Sequence, residues 1–204
     1  MGFKKLDEPL KEAIERLNYE FPLQFQEKLL PKIKSGADLF IIAPENSGKT
    51  TAMIISVIQK LNCAAFEDAP RALIFVKDKE AALVLEEEFR KFIKYMDLRI
   101  YSVFDKPNIE TEKNDIYEGV DIVISTPKKL NKLFSLSGIN ISQLKMCIIE
   151  DAEFITGGRE FNEIIRIPQH IPKCQYLVIS TEMNSKMEKF RDIFMQNARM
   201  VKAK

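Results

Sequence analysis

The sequence predicts a doubly wound α/β fold, in which a mostly parallel β-sheet carries helices on both faces. Short runs that are apolar at every position recur along the 204 residues, and stretches with helical periodicity separate several of them. Uninterrupted apolar runs are typical of strands that are buried on both sides, as the strands of parallel sheets are. A third observation is Gly48-Lys49-Thr50, which joins one apolar run to a helical stretch. Ligands of such folds bind beyond the carboxyl ends of the strands, so we expect the functional residues there.

The amino-terminal part of the chain is predicted to be helical. Residues 8–18 have apolar positions at helical spacing, and an acidic residue followed by proline stands at their start, where helices favour both. Residues 24–34 form a second predicted helix, which ends before Ser35-Gly36. Both helices precede the first apolar run.

Six apolar runs are predicted to be strands, because each is short and lies between polar or turn-forming segments. The predicted strands cover residues 39–43, 72–76, 100–103, 120–125, 146–149 and 176–180. Clear helical patterns cover residues 79–95 and 185–196. Residues 62–70 and 106–118 are polar and are predicted to be surface loops.

The composition is that of an ordinary globular domain. Hydrophobic residues make up 46% of the chain and charged residues 30%, which is enough apolar surface for one substantial core, so we predict a single domain over residues 1–204. Because the formal net charge is +1, nucleic-acid binding would have to come from a local patch. Three widely separated cysteines and one histidine argue against a zinc site and suit a reducing compartment.

No segment has the pattern of a secretion signal or a membrane span. The amino terminus lacks an apolar core, and no apolar run approaches the roughly 20 residues that a spanning helix needs. We therefore expect a cytoplasmic protein without a membrane partner.

Residues 43–50 carry the strongest chemical signal. They read Ala-Pro-Glu-Asn-Ser-Gly-Lys-Thr and lie between a predicted strand and a helical stretch. A strand, a loop of this kind and a helix together form a phosphate cradle, because the loop N–H groups and the helix amino terminus carry partial positive charge. The general pattern has glycine where this chain has Ala43.

Four residues of this loop are candidate nucleotide ligands. Lys49 is expected to reach the β- and γ-phosphates, and the Thr50 hydroxyl is expected to bind Mg²⁺. Ser47 and Gly48 complete the loop that would surround the phosphates.

Acidic residues follow the strand predicted over 146–149. Glu150 and Asp151 would lie at the same edge of the sheet as the phosphate loop, where carboxylates can hold Mg²⁺ and orient an attacking water. A solvated acidic loop is the alternative interpretation. The strand predicted over 176–180 likewise ends in a polar residue, Ser180.

In order and spacing, these segments resemble the first RecA-like domain of a DEAD-box RNA helicase, over nearly the whole chain. The resemblance implies a RecA-like P-loop fold that binds ATP or ADP with Mg²⁺, and single-stranded RNA. Residues 1–34 resemble the family's adenine-recognition segment, the Q motif, in which Gln26 would hydrogen-bond adenine and Phe3 would stack on it. A helix-surface glutamine and a terminal apolar anchor are the alternatives for these two residues.

The chain departs from the family pattern at several motif positions. Glu45 and Asn46 replace a threonine and a glycine of the phosphate loop, and a carboxylate there repels phosphate unless it turns away. The family's Asp-Glu-Ala-Asp is Glu150-Asp151-Ala152-Glu153 here. Glu150, the Mg²⁺ ligand through water, is thus longer by one methylene, and Asp151, which would orient the attacking water, is shorter. Since misplacing a catalytic group by ~1 Å can cost about 10²-fold in rate, we expect binding to persist and hydrolysis to be weak.

The resemblance also assigns residues to RNA binding and to coupling. Lys79, Thr126 and Lys129 align with loops through which the family grips the RNA backbone. A solvated helix face is the alternative for Lys129 and its lysine neighbours. Ser180 falls in the Ser-Ala-Thr element that couples nucleotide binding to RNA binding, although Glu182 replaces the threonine.

The second RecA-like domain of these helicases is absent, and the chain ends where the linker between the domains would begin. That domain supplies an arginine finger, typically worth about 10³–10⁵ in rate. We therefore expect a degenerate helicase domain that binds ATP and Mg²⁺, with RNA as a further expected ligand and with little ATPase or unwinding activity alone. Two alternatives stay open: an enzyme half that needs a second RecA-like domain or a protein partner, and a scaffold that no longer binds nucleotide.

Overall fold

The structure, a computed structural model, describes residues 3–104, 109–171 and 173–203. The strands of these residues form one sheet in the order β3-β4-β2-β5-β6-β1-β7, and every neighbouring pair is parallel. The strands are β1 (Leu39–Ile42), β2 (Ala72–Phe75), β3 (Ile100–Val103), β4 (Ile122–Ser125), β5 (Met146–Ile149), β6 (Gln175–Ser180) and β7 (Arg199–Lys202). The predicted parallel α/β fold is confirmed.

Helices flank both faces of the sheet. They are α1 (Glu8–Arg16), α2 (Gln24–Lys34), α3 (Lys49–Lys60), α4 (Lys79–Ile93), α5 (Ile109–Tyr117), α6 (Pro127–Ser135), α7 (Gly158–Ile165), α8 (Ser185–Glu188) and α9 (Phe190–Ile193). Single 3₁₀ turns occupy Phe3–Lys5, Ala152–Phe154 and Pro168–His170. In the part of the chain described, no helix is both long and apolar enough to cross a bilayer.

Alternate residues of each strand feed two separate cores. Leu39 and Ile41 of β1 point to the face that α1–α4 cover, whereas Phe40 points to the face covered by α5–α9. Because both faces are covered, β1, β2, β4, β5 and β6 are buried along their whole length. This burial explains why their sequences are apolar at every position.

Four elements differ from the sequence-based expectation. The prediction of a loop over residues 106–118 is wrong for most of its length, because the helix α5 covers Ile109–Tyr117 and buries Ile116. Residues 106–108 lie outside the described ranges. The helix predicted over 185–196 is divided into α8 and α9. Neither α7 nor β7 was expected, and β7 is an edge strand with one buried residue, Val201.

The strand order brings three chain segments to one place. β5, β6 and β1 are adjacent, so their carboxyl ends carry Glu150, Ser180 and the phosphate loop side by side. The Ala43 N–H donates to the Ser180 carbonyl (3.0 Å), which extends the β1–β6 pairing into the loop. β2 is separated from β1 by β5 and β6, and this reversal of strand order opens a crevice at the same edge.

A buried charge network lies at the opposite edge, at the amino ends of the strands. The fully buried Asp121 accepts hydrogen bonds from Arg71 Nη2 at 2.5 Å and from Arg99 Nε at 3.0 Å. Arg71 also donates to the carbonyls of Leu61 and Ala64. Every one of these partners is charged or is a backbone group, as burial of ions requires.

Candidate functional site

The phosphate loop follows β1 directly and turns into α3. Asn46 and Gly48 both adopt left-handed backbone conformations, with φ of 58° and 79°. Asparagine and glycine are the residues that tolerate this region best, so the replacement of a glycine by Asn46 preserves the turn. The helix α3 begins at Lys49, and its free N–H groups therefore face the loop. Glu45 is exposed, and besides burial its negative charge is one of the causes that raise the pKa of Asp151.

Lys49 and Thr50, in the first turn of α3, face the acidic segment after β5. Thr50 Oγ1 donates a hydrogen bond to Glu150 Oε1 at 2.5 Å. The largely buried Lys49 places its Nζ 3.8 Å from Asp151 Oδ1. The structure thus brings together four of the residues that the sequence predicts for nucleotide and metal. Ser47, in the same loop, has a buried Oγ without a hydrogen-bond partner among the described residues.

Glu150 is the most unusual titratable group of this site. Its side chain is 5% exposed, and burial raises its pKa to about 8, while the hydrogen bond from Thr50 opposes the shift. Burial thus favours the neutral, protonated form of this carboxyl group. Its second oxygen, Oε2, has no hydrogen-bond partner among the described residues. A buried, unsatisfied oxygen of this kind is costly and points to a ligand.

Asp151 and Glu153 have different environments from Glu150. Asp151 has a left-handed backbone (φ 45°) and a side chain that is 63% exposed; burial of its remainder raises its pKa, and Lys49 opposes the shift. Glu153 accepts a hydrogen bond from the Thr181 N–H. Although burial alone would raise the pKa of Glu153, the hydrogen bonds from Thr181 hold it below its usual value. Glu153 therefore links the acidic segment to the end of β6.

Ser180, the predicted coupling residue, is fully buried at the end of β6. Its hydroxyl donates to the Glu182 carbonyl at 2.6 Å, and its own carbonyl accepts from Ala43. Ser180 thus joins the phosphate loop and the turn after β6. That Ser180 couples nucleotide binding to RNA binding stays a prediction.

Gln26 is buried and connects α2 to the phosphate loop. Its Oε1 accepts from the Leu23 N–H at 2.9 Å, and its Nε2 donates to the Gly48 carbonyl at 3.1 Å. A Cβ on Gly48 would lie 2.5 Å from Gln26 Nε2 and would displace this amide, and the positive φ of Gly48 independently favours glycine. The surface-glutamine alternative is wrong. One N–H of the amide remains for a ligand, and the assignment to adenine stays a prediction.

Phe3 lies at the other end of the domain. It packs against the core on the α1–α4 side of the sheet and lines a cavity together with Leu30, Lys60 and Met146, at the last turn of α3 and the first residue of β5. The phosphate loop is at the first turn of α3, twelve residues away along the helix. The predicted stacking of Phe3 on adenine is therefore corrected, and the alternative of an apolar anchor describes its position. Linear spacing could not reveal this, because it does not specify how the amino-terminal segment packs.

The three predicted RNA ligands are not equally accessible. Lys79 is exposed at the start of α4, with its Nζ 5.2 Å from the centre of the Phe104 ring. Thr126 is half-buried at the amino-terminal cap position of α6. Lys129 is 2% exposed and forms an ion pair with the equally buried Glu112 at 2.5 Å. This pair corrects the assignment of Lys129, since its ammonium group faces the interior.

Exposed lysines beside these positions were not among the predicted ligands. Lys77 follows β2 and Lys128 lies in the first turn of α6, and both are exposed at the carboxyl edge of the sheet. Phe21, with 82% of its surface exposed, is the other missed residue; it stands two positions before Leu23, whose side chain lies beside Gly48. The unusual exposure of an aromatic side chain is a signal that sequence alone does not give.

The residues around Thr50 fit a hard divalent cation. A hydroxyl and carboxyl oxygens are the donors that Mg²⁺ prefers, and Glu150 Oε2 lacks another partner. A cavity of about 190 Å³ borders Thr50, Glu150 and Asp151. Among the described residues no three His, Cys, Asp or Glu side chains form a ready-made metal cluster. Mg²⁺ is commonly held by one or two side chains together with substrate phosphates, so these donors suffice.

Comparison with known proteins decides the family. A sequence profile described as "DEAD/DEAH box helicase" matches residues 23–190, which include the phosphate loop and the acidic segment. The chain belongs to the DEAD/DEAH box helicase family. Its sheet and helices form one RecA-like domain of that family, as predicted.

Individual DEAD-box relatives are distant in sequence. The chain is 25% identical over 190 residues to the DEAD-box ATP-dependent RNA helicase CshB of Listeria monocytogenes, covering 92% of this chain and 43% of that protein. It is 29% identical over 184 residues to the pre-mRNA-processing ATP-dependent RNA helicase PRP5 of Candida albicans, and the match covers 85% of this chain and 21% of that protein. The chain thus spans less than half the length of these curated relatives.

Solved structures share the fold. A DEAD box protein from the hyperthermophile Methanococcus jannaschii superimposes with a TM-score of 0.90 at 20% identity, over 100% of this chain and 56% of that one. The Saccharomyces cerevisiae dbp5, in a complex with gle1 and IP6, superimposes with a TM-score of 0.88 at 17% identity, over 99% of this chain and 52% of that one. At these identities the match establishes the architecture of the domain.

Proposed function

We propose that this DEAD-box domain binds ATP or ADP together with Mg²⁺ at the carboxyl edge of the sheet. The observation that carries the proposal is the contact of Thr50 with Glu150 beside the buried Lys49, all at the amino terminus of α3. A helix amino terminus with loop N–H groups attracts phosphate, and a lysine adds a full positive charge. The family supports the same ligand, because its curated relatives are named ATP-dependent helicases.

Each residue of the site has a role in this proposal. Lys49 exchanges its 3.8 Å contact with Asp151 for the nucleotide phosphates, and Thr50 releases Glu150 to bind the cation. Glu150 would hold the cation in its carboxylate form, and Mg²⁺ would there neutralise phosphate charge. Gln26, held against Gly48, and the exposed Phe21 are the two residues proposed to contact the base.

We propose that hydrolysis is slow in the isolated domain. Asp151 is largely exposed and pairs with Lys49, so it is not fixed in an orientation for activating water. These 204 residues span one RecA-like domain, and their partial coverage of the relatives favours a second candidate: an enzyme half that turns over ATP only when another domain completes the cleft.

RNA binding is the second part of the proposed function. Lys77, Lys79 and Lys128 are exposed at the carboxyl edge of the sheet, near Thr126. Such lysines can contact phosphates of a single strand without regard to sequence, and each contact should add about −0.7 to the slope of log affinity against log salt. Changing both Lys77 and Lys79 to Ala should weaken binding of a fluorescent oligouridine and reduce this slope by about 1–2.

Nucleotide titration tests the proposal directly. Calorimetry with ATP or ADP and Mg²⁺ should show one site in the wild type, with loss of at least about 2 kcal/mol of binding free energy in Lys49→Ala, because a charge-assisted contact is removed. Lys60→Ala, at the exposed opposite end of α3, is the matched control and should bind normally. An absence of both heat and thermal stabilisation at millimolar nucleotide would favour the scaffold interpretation instead.

A further inference from the structure

A second cavity lies at the edge of the domain opposite the phosphate loop. Its volume is about 500 Å³, within the range of roughly 300–1,000 Å³ that is usual for small-molecule sites. It is bordered by the last turn of α3, by the carboxyl end of α2 and by the first residues of β5 and β6. The Phe3–Lys5 turn closes one side. None of the residues proposed to bind nucleotide lines it, apart from Phe3, whose assignment the structure has corrected.

The walls of this cavity are mainly apolar. α2 contributes Leu30, Pro31 and Ile33, and Ile55 and Met146 lie across from them. Leu6 and Phe3 add further apolar surface from the amino-terminal segment. A ligand in this position would therefore bury an apolar body.

Polar groups lie at defined places in the same cavity. The Gln175 side chain, 4% exposed, donates from Nε2 to the carbonyls of Ile33 and Ala37, both at 2.8 Å. Its Oε1 has no hydrogen-bond partner among the described residues. Gln59 accepts from the Asp7 N–H through Oε1, which leaves its Nε2 group as a donor toward a ligand.

The charge of the cavity is of one sign. Lys5, Lys34 and Lys60 border it and are exposed, and none of the described residues that line it is an aspartate or glutamate. The Lys34 ammonium group donates to the Lys5 carbonyl at 3.2 Å, so this lysine is held near the opening. Because the three charged side chains among these lining residues are all cations, the lining favours an anion.

We propose that this cavity binds a small carboxylate with an apolar body, such as a medium-chain fatty acid. The chain would lie against the walls from α2, α3 and β5, and the carboxylate would lie among the three lysines at the opening. The Gln59 amide is placed to donate to the same carboxylate. This site is separate from the proposed nucleotide site, because it is at the other end of α3.

Calorimetric titration with decanoate tests the proposal. One molecule should bind per chain, and each CH₂ added between hexanoate and decanoate should tighten binding about threefold to fourfold through apolar burial. Decanol, which lacks the charge, should bind at least about fivefold more weakly. Decanoate binding should be unchanged in Lys49→Ala. Failure of the protein to bind decanoate and failure to bind nucleotide are therefore separate results.

Charge reversal and a local probe establish the location. Lys34→Glu and Lys60→Glu should each weaken decanoate binding about fivefold or more, whereas Lys28→Glu, an exposed α2 residue outside the cavity, should leave it unchanged. Decanoate should also shift the ¹³C-methyl resonance of Met146, identified by its loss in Met146→Leu. No saturable binding, equal effects of all three reversals, or an unshifted Met146 resonance would overturn the proposal.

Discussion

At the scale of single residues, burial separates groups that look alike in the sequence. Lys128 and Lys129 are neighbours, yet one is exposed and the other pairs with Glu112 in the interior. Glu150 and Asp151 are also neighbours, and burial raises the pKa of Glu150 to about 8 while Asp151 remains largely exposed. A charge pattern alone therefore identifies the segment that carries the chemistry but not the role of each member.

Phe21 provides a residue-level prediction about the proposed nucleotide site. Phe21→Ala should weaken ATP binding by about 1–3 kcal/mol, as removal of an aromatic group that stacks on a base does. It should not change the affinity for tripolyphosphate, which has no base. Phe3→Ala is the matched control, since Phe3 lies at the opposite end of the domain, and it should leave ATP affinity within twofold. Equal losses for ATP and tripolyphosphate in calorimetry would argue against contact with the base.

Asp121 provides a residue-level prediction about stability. Asp121→Asn should lower the free energy of unfolding by about 3–5 kcal/mol, because Arg71 and Arg99 lose their buried counter-charge. Asp68→Asn is the control: Asp68 also pairs with Arg99, but its side chain is 77% exposed, so the cost should stay below about 1 kcal/mol. Urea denaturation at pH 7 measures both.

The same aspartate predicts a dependence on pH. Burial alone would raise the pKa of Asp121, but hydrogen bonds from Arg99 and Arg71 hold it below the ordinary value. Its stabilisation is therefore fully present above the pKa of an unfolded aspartate, about 4, and is lost as the pH falls through the folded-state value. The difference in stability between the wild type and Asp121→Asn should shrink below pH 4; a constant difference would contradict this account.

At the scale of elements, strands with several buried residues were predictable, whereas β7 and α5 were not. The six strands predicted from apolar runs lie within two residues of their observed bounds. The five central strands are buried at every position, and the edge strand β3 is buried at three of its four. β7 was missed because Val201 is its single buried residue. α5 was missed because a buried charge, Glu112, takes a position where an amphipathic helix normally has an apolar residue.

The Glu112–Lys129 pair joins α5 to α6, and its removal should be measurable. Lys129→Met should destabilise the fold by about 3–5 kcal/mol, since Glu112 would remain buried without a partner. The double variant Glu112→Leu/Lys129→Met should recover much of this loss. Lys128→Ala, on the exposed side of the same helix turn, should change stability by less than about 0.5 kcal/mol. Additive losses in the double-mutant cycle would show that the two residues are not coupled.

At the scale of the whole molecule, the sheet order explains how far the site was predictable. The phosphate loop, the acidic segment and Ser180 converge because β1, β6 and β5 are neighbours, and the family pattern anticipated that convergence. The pairing of Thr50 with Glu150 and of Gln26 with Gly48 depends on side-chain positions that linear spacing does not specify. The location of Phe3 depends in turn on how the amino-terminal segment packs.

The three thiols report on the integrity of the whole domain. Burial raises the pKa of Cys63 to about 11 and that of Cys174 to about 12, and it also raises that of Cys147. Because thiolate is the reactive form, native protein should react with Ellman's reagent at pH 8 at least about 100-fold more slowly than protein unfolded in urea. The native rate should remain low at pH 9. Fast reaction of one thiol in folded protein would show that its surroundings open independently of the rest.

The position of β1 has a consequence for how this domain is made. β1 is the first strand of the chain, yet both of its neighbours, β6 and β7, come from the last 30 residues. Pairing strands that are so far apart in the sequence is slow, because a long loop must be closed. A chain is also synthesised from its amino terminus, at about 5–20 residues per second. The phosphate loop is therefore made before both partner strands of β1 and cannot be held between them until residues 175–202 have been synthesised. During that interval Leu39–Ile42 is an unpaired apolar strand, which needs protection from aggregation.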